Sequence, residues 1–88
     1  MSVTGTLTTA ALLRNLGSSS AGVGPGTSLA DKVAATEADV AASDTRDACG
    51  TLAAYIHEVN AQTGHSIPAG TAVGLLSQVA AIEARLGC

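Results

Sequence analysis

Cys49 and Cys88 are the only cysteines in the chain, and they bracket its last stretch. Between them lie two apolar-periodic segments separated by a turn. In the first, Ala48, Cys49, Leu52, Tyr55, Ile56 and Val59 recur at gaps of three and four, which puts them on one face of a helix. In the second, Ala72, Leu75, Leu76, Val79, Ile82 and Leu86 repeat the pattern. Gly64 supplies an exit, and Pro68 suits a first helical position, where a missing N–H costs no hydrogen bond. Helices over about 45–63 and about 69–86 would each span roughly 27 Å and, with so short a turn, run antiparallel. Packed axes lie about 8–10 Å apart and Cα atoms about 2.3 Å off axis, so facing Cα atoms approach to about 4–6 Å. That is disulfide range. Cys49 lies on the first stripe near its start and Cys88 follows the Gly87 cap, so the geometry predicts a Cys49–Cys88 disulfide across the open end of a hairpin rather than two free thiols. Closing a loop of about forty residues stabilises by roughly 4 kcal/mol in the chain-entropy model.

The preceding half reads as two more helices. The first spans about residues 5–16 and carries Leu7, Ala11, Leu12, Leu13 and Leu16, with Gly17 placed as a left-handed cap. Residues 17–26, GSSSAGVGPG, read as a connector. They lack the Lys-Ser/Thr and the preceding strand that a phosphate-binding loop needs. The second helix spans about 28–42. Ser28 stands as its cap, with Asp31 three residues on, and its inner face runs Leu29, Val33, Thr36 or Glu37, and Val40. Asp44 caps the third helix, with Asp47 three residues later. Gly70 and Gly74 either admit a neighbouring backbone or soften the start of the fourth. The expectation is one all-α domain over residues 1–88, a compact bundle of four short helices whose last two form the bridged hairpin.

Composition agrees. Hydrophobic residues make up 47% of the chain but Tyr55 is the sole aromatic, which favours close helix-on-helix contact over a sheet. Seven acids against four bases give a net charge of −3, with no basic stripe for nucleic acid or a membrane surface. No apolar run reaches the roughly 18 residues of a membrane span. The first residues lack the basic start and apolar stretch of a signal peptide. The chain is thus expected to be cytosolic or a processed piece of an exported protein, and the disulfide favours export.

The chemistry-bearing residues do not assemble a known constellation. His57-Glu58 would need a second histidine at position 61 for zincin chemistry, and Ala61 stands there. His57 falls beside the apolar stripe and is read as solvated, and His65 as a turn residue. Ser18, Ser19 and Ser20 sit in the connector without a nucleophile elbow. Cys49 as a reactive thiol lacks an adjacent base. Tyr55 continues the core stripe, with its hydroxyl reaching the edge. No catalytic residue, cofactor or metal is expected.

The run LADKVAATEADVAASDTRDACGTLAAYIHEVNAQTGHSIPAG, followed by a Leu/Ala helix ending Leu86-Gly87-Cys88, resembles the small helical module called the FIMAH domain. The resemblance covers about residues 12–88. Its most specific pieces are Leu29 through Lys32, the Asp44-Thr45 turn, and Leu52 through Gly64 in the pattern L-x-x-aromatic-I-x-x-V-x-A-Q-x-G. Pro68, Gly70 and Gly74 depart from it. The resemblance implies a non-catalytic accessory domain, typical of the C-terminal ends of secreted bacterial multidomain proteins. A structural or protein-binding module, extracellular or at the cell surface within a larger protein, is the expected role. The other expectation is a small cytosolic helical adaptor for a partner helix.

Overall fold

A computed structural model describes residues 8–88. Four helices follow in order: α1 Thr9–Ser20, α2 Ser28–Ala41, α3 Thr45–Gln62 and α4 Ala69–Leu86. Each packs on its neighbours in sequence, and α1 also packs on α4, closing a ring around one core. No helix among the described residues is long and apolar enough to cross a membrane.

The core follows the helical period. Inward-facing positions are Leu13 and Leu16 of α1, Leu29, Val33 and Thr36 of α2, Ala48, Leu52, Tyr55 and Val59 of α3, and Ala72, Leu75, Val79 and Ile82 of α4. Thr36 therefore takes the inner position for which Glu37 was the alternative, and its hydroxyl donates to the Lys32 carbonyl one turn back at 2.9 Å. The turn between α3 and α4 adds Ile67, fully enclosed although it belongs to no helix. Its N–H donates to the Gln62 carbonyl at 3.1 Å and its carbonyl accepts from the Gly64 N–H at 2.8 Å, which tucks the side chain inward.

Several boundaries differ from the sequence reading. The first helix, expected over 5–16, runs through Gly17 and ends at Ser20; residues 5–7, Leu7 included, lie outside the described residues. Gly17 is helical, not a left-handed cap, because the inward face continues from Leu13 and Leu16 to Ser20. The connector expected over 17–26 is thereby shortened. Its reversal begins at Gly22, whose φ of +74° an L side chain rarely adopts. The second and third helices end at Ala41 and Gln62, one residue before the expected 42 and 63. Thr27, not Ser28, is the cap of α2, and Pro68 caps α4 rather than occupying its first turn.

Asp44 does cap α3, accepting from the Asp47 N–H at 3.2 Å. It also closes α2. Its N–H donates to the Asp39 carbonyl at 2.8 Å while Ser43 N–H donates to the Val40 carbonyl at 3.0 Å, with Ser43 left-handed at φ +60°. This is the six-to-one, five-to-two pattern of a Schellman end. Gly87, at φ +80°, ends α4 as expected.

Candidate functional site

The hairpin closes as the helix lengths require. Cys49 and Cys88 are bridged, with Cα atoms 5.7 Å apart across 39 residues of chain. Cys49, in the second turn of α3, is half-buried; Cys88, past the end of α4, is exposed. The Gly87 and Cys88 N–H groups both donate to the Glu83 carbonyl, at 2.9 and 3.0 Å, which folds the chain back over the last turn.

The polar residues meet in a different arrangement from the one their sequence neighbours suggest. Ser20, read as part of a flexible connector, is 1% exposed and faces Tyr55, whose hydroxyl lies 2.6 Å from its own. Tyr55 is wholly enclosed, so its hydroxyl does not reach the edge as expected. Ser20 has one hydroxyl hydrogen and donates it to the Leu16 carbonyl at 2.7 Å. Tyr55 is then the donor to Ser20. Burial raises the Tyr55 phenol above its ordinary range, opposed by the Ser20 hydroxyl, with the Glu58 charge adding to the rise.

A second cluster lies along the seam of α2 and α3. Lys32 Nζ and Ser28 Oγ both donate to Glu58 Oε1, at 2.8 and 2.7 Å, and Lys32 also donates to Ser28 Oγ at 3.0 Å. Ser28 is thus committed to a partner thirty residues away, which is why it does not cap its helix. Lys32 and then Ser28 hold the Glu58 carboxyl below the usual glutamate range. Its other oxygen, Oε2, is enclosed without a hydrogen-bond partner. The Glu58 pairing is tertiary and leaves no signal in the local sequence; Ser28 and Lys32, one turn apart on α2, are brought to Glu58 only by the packing of α2 on α3.

Continuing from Lys32 of this cluster, an open groove of about 680 Å³ runs between α2 and α3, its lining mixing the cations Lys32 and Arg46 with Asp39, Asp47, Gly50 and Ala54. At its lower end the carboxyls crowd. A hydrogen bond that the protonated Asp47 carboxyl donates to Asp44, together with the Asp44 charge and smaller contributions from burial and Asp39, raises Asp47 above the ordinary carboxylate range. Among the described residues no group of three or more His, Cys, Asp or Glu side chains could hold a metal ion. His57 and His65 are both exposed. A smaller cleft of about 190 Å³ between α1 and α2 is lined by Ala10, Leu13, Arg14, Glu37, Val40 and Ala41.

The opposite side is smooth. Gly70, Val73, Gly74, Ser77, Ala81 and Ala84 share the exposed face of α4, and Val73, at 69% exposure, is its one large apolar side chain. A Cβ at Gly70 or Gly74 would meet open space, so packing within the domain does not require either glycine. Compared with protein-family models, curated proteins and solved structures, the chain finds no match.

Proposed function

We propose that this chain is a non-catalytic accessory module of an exported bacterial protein, serving as a stabilising, spacing or attachment domain. The observation that carries this reading is the Cys49–Cys88 bridge. A structural disulfide persists in oxidising compartments and is rare where glutathione and thioredoxin keep thiols reduced. The resemblance to the FIMAH domain adds the bacterial source, the secreted parent and the extracellular or cell-surface setting. The partner in this reading is a neighbouring domain of the parent chain or another protein, with no cofactor.

The test compares protein made in an oxidising and a reducing compartment. Intact mass with and without alkylation reads the bridge, and the melting temperature with and without reductant reads its contribution. A bridged chain whose melting temperature falls on reduction supports the proposal. Two free thiols in both preparations, with a melting temperature indifferent to reductant, would overturn it.

A second reading, a small cytosolic adaptor that packs a partner helix, draws on the exposed Gly70, Val73 and Gly74 of α4, where another helix can approach closely. Free thiols together with concentration-dependent association would favour it.

A further inference from the structure

Burial along α4 stops before the helix does. Ile82 is fully enclosed, Glu83 and Leu86 are half-buried, and Ala84, Arg85, Gly87 and Cys88 are exposed. The backbone of this last turn bonds to itself through the Glu83 carbonyl, and Leu86 is its only apolar contact with the core. Across the bond the situation differs. The start of α3 is held by the Asp44 cap and by the fully buried Ala48 and Leu52, none of which depends on Cys88. The two ends of the disulfide are therefore anchored unequally.

We propose that the Cys49–Cys88 bond is a redox latch on the last turn of α4: a thiol reductant releases residues 83–88 from α3 while the four-helix core persists. Cys88 is exposed and Cys49 half-buried, so attack is assigned to the Cys88 sulfur. A reductant thiolate attacks it, the Cys49–Cys88 bond breaks, and Cys49 leaves as a thiolate that takes up a proton. The second thiol of a dithiol reductant then attacks the mixed disulfide. Cys88 is freed as a thiol and the reductant departs as its own disulfide. Two electrons pass from reductant to protein, and the chain gains two protons. The last turn is left with one half-buried leucine and local hydrogen bonds, too little to fix it against chain entropy.

The test is backbone amide NMR relaxation on the whole chain, oxidised, reduced with dithiothreitol, and as a Cys49→Ser/Cys88→Ser variant. The expected result is that order parameters for residues 84–88 fall from about 0.85 to below about 0.6 in the reduced and variant proteins, while Leu52, Tyr55, Leu75 and Val79 stay near about 0.85. The proposal is overturned if the last turn keeps its order without the bond. It is equally overturned if the core resonances collapse to unfolded positions, or if the variant does not fold, since the bond would then hold the whole domain.

Discussion

Along the seam of α2 and α3, Lys32, Ser28 and Glu58 bond to one another across the two helices, and Thr51 donates to Asp39 further down. The seam of α1 and α4 carries one side-chain bond, from Gln78 Nε2 to Ser19 Oγ at 3.1 Å. Of the seven acids and four bases, only Arg14, Glu83 and Arg85 lie in α1 and α4. Both seams cover the same apolar core, so the difference lies at the rim. On one side the register of two helices is fixed by specific charged partners; on the other it rests on shape and one amide–hydroxyl bond, while α3 is tied to α1 through Tyr55 and Ser20 and to the end of α4 through the disulfide.

That contrast can be broken at its strongest point first. Replacing both cysteines by serine removes the tie and should lower the unfolding free energy by about 4 kcal/mol, read by urea denaturation. The next test is an asymmetry at the centre. Ser20→Ala leaves the enclosed Tyr55 hydroxyl without an acceptor and should cost about 2 kcal/mol, whereas Tyr55→Phe leaves Ser20 bonded to Leu16 and should cost about 1 kcal/mol. The double variant should resemble Tyr55→Phe alone; additive losses would show that the two hydroxyls do not act as a pair.

On the charged side, Glu58→Gln should cost about 1 kcal/mol or less at neutral pH, because solvent screens a pair at the rim. The Glu58 carboxyl titrates below its unfolded value, so its contribution is full above the ordinary glutamate range and is lost as pH falls through the lower, folded value. Wild type and variant should therefore converge in acid; a constant gap would assign the loss to packing. On the smooth side, Gly74→Ala should stabilise by about 0.5–1 kcal/mol in thermal or chemical unfolding, since the new methyl meets open space within a helix. Loss of stability there would mean that α4 needs the glycine for its own fold. The smallest effect is expected at Asp47→Asn. A carboxyl raised by its neighbours opposes folding as pH rises through its titration, so the substitution should lift the melting temperature on the order of 1 °C at neutral pH and leave it unchanged in acid.

The stripes of α3 and α4, the antiparallel hairpin, the Asp44 cap and the Cys49–Cys88 pairing are legible because each is a matter of local spacing and helix length. Ser20 and Ser28 are not. A serine-rich run reads as a connector until a tyrosine thirty-five positions later supplies the partner that makes burial of Ser20 tolerable. Ser28 carries the sequence signature of a cap, and a carboxylate from another helix outcompetes that role. Ile67 escapes notice for a related reason: a turn residue has no periodicity to reveal which way it points. Tertiary hydrogen bonds between distant hydroxyls and carboxylates leave no trace in a local pattern.

The joint between α2 and α3 has a mechanical consequence. Asp44 closes one helix with its N–H and opens the next with its carboxylate, so the two helices share a single terminal residue and no slack lies between them. Fraying of one end removes a bond from the other, which ties their melting together. An added residue at this corner would break both ends at once, whereas the glycine-rich stretch between α1 and α2 can lengthen without uncapping either helix. The chain is hence stiff at its middle corner and extensible at its first, and a graft or tag belongs in the first.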